Sequence, residues 1–168
     1  MKQEYSPLIT ELLSIGGSMP LDAGKPDAAG QARLNGLTLE ALFAPRAIRD
    51  RDMARACLAG LWLYHNDLDR SHTLSQDIET PTGSFWHGIM HRREGDFSNA
   101  KYWFHRVGAH PIFPALAKAA GEASWDPFAF VDLCQRACEK DKASESRCRD
   151  IQASEWNLLF DHCFRLAV

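Results

Sequence analysis

Apolar residues recur along nearly the whole chain at three- and four-residue intervals, and no stretch alternates with the two-residue period of a strand. Ser6-Pro7 supplies an N-cap followed by proline at the first helical position, predicting a short helix that ends at Gly16-Gly17. From Ser18 to Asn35 the chain reads "SMPLDAGKPDAAGQARLN", rich in Gly, Pro and Asp and without apolar period, which predicts a loop of lid, binding-loop or disordered type. "LTLEALF" predicts a short helix, and Pro45 the start of a long one reaching Tyr64. "LDRSHTLSQDI" follows a break at "HND", and "TPTG" separates it from a helix through Trp86 and His91. Beyond the turn "EGD" come "FSNAKYWFHRVG", the proline-punctuated "HPIFPALAKAAG", and two last helices, Asp126 to about Lys140 and Ser144 to near the end. The final pair carries core stripes at helical spacing: Phe128, Val131, Cys134 and Cys138, then Ile151, Trp156, Leu159, Phe160 and Cys163. The expectation is one all-α domain over residues 1–168 with seven or eight helices, the Gly/Pro-rich loop at about 17–36 and paired hairpins at about 53–111.

The middle of the chain repeats itself. Laying Asp67 on Asp96 puts Leu68 on Phe97, Ser71 on Ala100 and Ala59 on Gly88, each 29 residues apart. Small residues at those places let antiparallel helices approach closely, and Gly95 and Asn66 suit turns with positive φ. The stretch resembles the tetratricopeptide repeat (TPR): Gly88, Gly95, Phe97, Ala100 and Phe104 fall on its pattern, and Pro111 falls one position early. The offset of 29 is shorter than the ~34 of that family. The run "HRREGDFSNAKYWF" also resembles bacterial and fungal proteins with no assigned function. The TPR resemblance implies a helical scaffold whose first helices line a concave groove, with Phe85, Ile89 and Arg92 facing a peptide or small-molecule ligand. Phe85 and Ile89 equally suit a core beneath flanking helices.

A net charge of -3 and a pI near 6.1 offer no field for nucleic acid or an anionic membrane. Arg46, Arg49, Arg51 and Arg55 are interleaved with Asp50 and Asp52, the pattern of a solvated helix face. The first residues are too short and too acidic for a signal or anchor, and no run approaches the ~18 apolar residues of a membrane span. Five cysteines without zinc-type CxxC pairs predict free thiols in a reducing cytoplasm. Gly24-Lys25 is not a phosphate loop, since Pro26 replaces the hydroxyl residue and Met19 the first glycine.

The candidate chemistry is imidazole. His87 and His91 stand where the TPR pattern has apolar and aromatic packing positions, and Ser84 replaces its leading aromatic. Both rings are therefore expected in the seam between helices. If the chain folds back near residue 80, partners sum to about 160, which places His72 opposite Gly88 and Asp69 opposite His91. His87, His91 and Glu94 form one row; Asp69 and His72 face it. One reading makes His72, His87 and His91 ligands of a divalent metal such as zinc, with Asp69 as ligand or orienter and water at an open fourth position. A metal-free version uses His87 or His91 as general base oriented by Asp69. The remaining reading is a buried polar network with Asp69, Ser71, Ser84 or Asn99 as partners. The glutamate of the HExxH metalloprotease motif is absent, because Gly88 occupies its position.

Lys101 and His105, four apart, share a face that suits either an anionic group or solvent, while Trp103 and Phe104 suit the core. His110 reads as loop, and the adjacent His162 and Cys163 read as structural. Two functions follow: a helical binding or scaffold module for a peptide or small molecule, or a small-substrate enzyme built on the histidine seam.

Overall fold

A computed structural model describes residues 4–168, in which ten α-helices, one 3-10 turn and no strand occur. The helices are α1 (Pro7–Ile15), α2 (Ala28–Leu34), α3 (Leu39–Phe43), α4 (Arg51–Tyr64), α5 (Leu68–Ser75), α6 (Pro81–Glu94), α7 (Phe97–Val107), α8 (Phe113–Ala120), α9 (Pro127–Glu139) and α10 (Glu145–Ala167). The all-α expectation holds, with more helices than the seven or eight anticipated. Most starts are set by a side-chain cap that satisfies an orphan N–H of the first turn. Ser6 accepts from the Ile9 N–H, Thr38 from Ala41, Asp50 from Met53, Thr80 from Gly83 and Asp126 from Phe128 and Ala129.

Three boundaries differ from the sequence reading. The segment expected as loop to Asn35 contains α2, capped by Asp27 accepting from the Ala29 N–H. "AAGQARL" shows little apolar period because only Gly30 and Leu34 are buried. The long helix begins at Arg51 instead of Pro45, because Asp50 caps it there. "TPTG" is the start of α6 and not a separator: Thr80 is its cap and Pro81 its first residue.

The 29-residue offset is visible in the backbone. Asp67 caps α5 at φ/ψ -92/81 and Asp96 caps α7 at -87/74, each accepting the N–H three residues on. The preceding residues have positive φ, 60° at Asn66 and 91° at Gly95. The N–H of Asp67 donates to Trp62 O (2.9 Å) and that of Asp96 to His91 O (3.0 Å), the same closing bond 29 residues later. Helix packs on helix throughout, in an arrangement compatible with a helical repeat.

Helix α6 is the axis of the domain. Twelve consecutive residues, Thr82 to Arg93, are buried, because α4, α5, α7 and α9 pack around it. Trp86 on α6 meets Trp156 of α10 edge-on at 6.0 Å, and the Trp156 indole donates to Gly60 O of α4 at 2.9 Å. A helix buried on every side is ordinarily apolar, yet this one carries His87, His91, Arg92 and Arg93 inward. Each must therefore be paired.

A second buried imidazole ties α2 to the end of α4. His65 is fully buried, its Nδ1 2.9 Å from Asp27 Oδ2, and the Asp27 N–H donates to His65 O at 2.9 Å. Gly30 makes room for this ring: a Cβ there would lie 2.1 Å from His65 Nδ1. Gly30→Ala is thus expected to destabilise by about 1–3 kcal/mol through overpacking, outweighing the ~1 kcal/mol that alanine gains in helix propensity. Urea unfolding would check the sign; a more stable variant would contradict this packing.

Candidate metal centre

His72 comes from α5, while His87 and His91 come from successive turns of α6. The hairpin turn between Ser75 and Pro81 folds the two helices together, as the sequence arithmetic requires. Ring centroids are 4.6 Å apart for His72–His87, 5.4 Å for His72–His91 and 4.7 Å for His87–His91. One nitrogen from each ring lies within 4.8 Å of one from each of the others. Zinc bonds to nitrogen of about 2.0–2.1 Å put tetrahedral ligands about 3.4 Å apart, so modest side-chain rotations close the site. His87 and His91 are buried and His72 is half-buried, which leaves the His72 edge as the approach from solvent.

The protons on two rings are fixed by their partners. Glu94 Oε2 lies 3.0 Å from His91 Nδ1, and an ionised carboxylate only accepts, so Nδ1 carries the hydrogen. Ser75 Oγ donates to His72 O at 3.3 Å, which leaves its lone pairs to accept from His87 Nδ1 at 2.8 Å. Both rings thus present an Nε2 lone pair. The Asn99 amide donates to that of His91 at 3.1 Å, while His87 Nε2 has no hydrogen-bond partner among the described residues. Burial, then the charges of His91 and His72, hold the His87 pKa down to about 3. Burial also lowers that of His91, against the opposing pull of Glu94. Neutral imidazole is the ligating form. The half-buried Trp103 packs on the His87 ring at 4.1 Å between centroids.

Several residues singled out by sequence lie elsewhere. Asp69 is exposed on the first turn of α5 and its carboxylate makes no hydrogen bond to the rings; Glu94, Ser75 and Asn99 are the polar partners instead. Glu94 stands three residues beyond His91, a spacing that marks it in the sequence, whereas Ser75 reaches the His87 ring from twelve residues away. Phe85 and Ile89 face no open groove: they are 0% and 1% exposed, with Phe85 edge-on to Phe104 and Phe113. Arg92 is 1% exposed and forms a two-point ion pair with Glu155 of α10. Lys101 pairs with Asp132 of α9, and His105 is exposed without a partner among the described residues. All five cysteines are free.

His110 lies in the loop between α7 and α8, as expected, but its ring is buried. Its Nδ1 accepts the Ile112 N–H at 3.4 Å, so Nε2 donates to Thr82 Oγ1 at 3.2 Å. Burial, then the charge of His162 4.9 Å away, pushes its pKa down to about 4 from 6.5. Between those values the unfolded chain takes a proton that the folded one refuses, so stability falls as pH drops from about 6.5 to 4. At 1.36 kcal/mol per unit the full contribution of His110 is about 3 kcal/mol. Chemical denaturation of His110→Gln across this window is expected to show a shallower slope than the parent; an unchanged slope would remove His110 from the account.

No family model, curated protein or solved structure matches the chain, so the reading of this centre rests on its own geometry.

Proposed function

We propose that the protein is a helical metalloprotein whose working centre is one divalent transition-metal ion, zinc foremost, held by His72, His87 and His91. The observation that carries this is the convergence of three ligand nitrogens within 4.8 Å of one another, two of them on rings whose Nδ1 protons are already engaged by Glu94 and Ser75. A carboxylate behind a ligating histidine raises its basicity and fixes its orientation. Three protein ligands with the fourth position left to solvent is the pattern of catalytic zinc, where a closed set of four is structural. Such a centre supplies an activated water near neutral pH. In this reading His87 and His91 hold the ion from the buried side, Glu94 orients His91, and the half-exposed His72 edge admits a small polar substrate to hydrolysis.

A second reading, a TPR-like binding module, draws on the paired hairpins and their common turn geometry. With Phe85 and Ile89 in the core, its ligand would sit beside α6 and not along it. Free thiols suit a reducing compartment such as the cytoplasm, and among the described residues no helix is long and apolar enough to cross a membrane.

Elemental analysis of protein purified without affinity tag or chelator tests the metal reading. About one equivalent of zinc, or of nickel, iron or manganese, is expected. Sub-stoichiometric content of all four, with no uptake when zinc is added back, would overturn it.

A further inference from the structure

The free thiols are not spread evenly through the molecule. Cys57 of α4 donates its S–H to Cys163 of α10, and Cys134 of α9 donates to Cys148 of α10, so four of them form two hydrogen-bonded pairs. Cys134 and Cys148 belong to a small apolar cluster between α9 and α10 with Phe130 and Ile151, and the half-buried Cys138 packs against it. We propose that Cys134 and Cys148 are a peroxide-reactive dithiol that closes to a disulfide between α9 and α10, while Cys57 and Cys163 stay reduced.

The surroundings of the two pairs separate them. Thiolate, not thiol, attacks a peroxide, and hydrogen bonds, cations and helix N-termini favour that form. Cys148 has all three. It accepts the Cys134 S–H, the Arg92 and Arg147 guanidinium groups lie near it, and it is the fourth residue of α10. The S–H bond, then the two arginines, lower its pKa, while the same bond and burial raise that of Cys134. Cys148 is therefore the nucleophile, and Cys134 holds a hydrogen aimed at it. Cys57 has the opposite environment. Burial, then its bond to Cys163, raise its pKa well above that of a free thiol, and the neighbouring charge is the Asp161 carboxylate. Burial raises Cys138 as well, so the most accessible thiol is not the most reactive.

Access follows the same division. Cys148 is 0% exposed, but Glu145, Ser146, Arg147 and Arg149 around it and the 3-10 turn Lys142–Ser144 before it are exposed or half-exposed. A helix end of this kind opens at small cost. Cys57 and Cys163 lie in the main apolar core.

The chemistry balances with hydrogen peroxide as oxidant. The Cys148 sulfur attacks one peroxide oxygen, the O–O bond breaks, and the thiol proton leaves with the other oxygen as water, giving a sulfenic acid. The Cys134 sulfur then attacks the Cys148 sulfur, the S–O bond breaks, and the Cys134 proton leaves in a second water. Two thiols lose two electrons to one peroxide. In a reducing compartment exchange with free thiols reopens the bond. The histidine centre takes no part.

The full chain would be treated with hydrogen peroxide and quenched, its remaining thiols alkylated after unfolding, and its peptides mapped by mass spectrometry without reduction. The linked Cys134–Cys148 peptide is expected first, with Cys57 and Cys163 still alkylated. In Cys134→Ser a sulfenic acid is expected to accumulate on Cys148 and to be trapped by dimedone. In Cys148→Ser oxidation of Cys134 is expected to slow at least tenfold. The map of the unsubstituted chain stands even where a variant fails to fold. First oxidation at Cys138, a Cys57–Cys163 link forming as readily, intact thiols in peroxide that consumes free cysteine, or no dimedone adduct in a folded Cys134→Ser would each overturn the proposal.

Discussion

His87→Ala is expected to lower zinc affinity by roughly 100-fold or more, beyond the 10–100-fold range that outer-shell partners of a metal site typically command. His87 is the ring with an unoccupied Nε2 among the described residues, and it lies between the other two, 4.6 Å from His72 and 4.7 Å from His91. Removing it leaves two nitrogens from different helices, too few for a tetrahedral centre. Glu94→Gln keeps the ring but weakens its orienting contact, so about a tenfold loss is expected there. Asp69→Ala is the decisive control. The sequence places that carboxylate beside His91, whereas the structure leaves it exposed on α5. Titration against a competing chelator checks all three. Equal affinities in parent and His87→Ala would sink the centre, and a large loss in Asp69→Ala would mean that α5 is rotated from the orientation described.

Glu155→Ala is expected to cost about 3–5 kcal/mol of stability, since removing one member of a buried pair strands the other charge. Arg92 lies 1% exposed between α6 and α10, paired twice with Glu155, bonded to Gln152 Oε1 at 3.4 Å and stacked 4.5 Å over the Phe130 ring. Burial opposes its charge, and the Glu155 carboxylate more than restores it, so its pKa is raised. The two side chains are 1% and 0% exposed, so the guanidinium stays buried when the carboxylate is gone. The double variant Arg92→Met with Glu155→Leu is expected to recover most of the loss, because apolar residues of similar volume avoid the desolvation that the pair must overcome. Urea unfolding of the two variants gives the comparison. A loss under 1 kcal/mol in Glu155→Ala would show the site to be wetter than its burial implies.

The location of these charges explains why α6 is hard to read in isolation. Its polar residues fall on every side of the helix, so periodicity cannot say which side faces solvent. The answer is that none does. Helices α4, α5, α7 and α9 pack around its backbone, and the stripe Phe85–Ile89–Arg92, which a concave scaffold would expose, is covered by side chains of α7, α8, α9 and α10. Spacing along one helix identifies a shared face; it does not identify what lies against that face.

Local chemistry reached furthest where it acts within a few residues. Ser6 with Pro7, the N-cap aspartates of the two hairpins and the positive-φ turns at Asn66 and Gly95 are decided by sterics and nearby hydrogen bonds, so the sequence alone determined the all-helical class and the 29-residue repeat. It also determined that His72 would meet His87 and His91, because a hairpin fold-back is a short-range constraint. Asp69 escaped that arithmetic: it stands about 60° around the helix from His72, and that rotation carries a short carboxylate out to water. Helix α2 escaped too, since what stabilises it is the distant His65 ring and not its own pattern. Only tertiary structure decided the pairing of Arg92 with Glu155, 63 residues away, because a buried ion's partner is chosen by which helices meet in space.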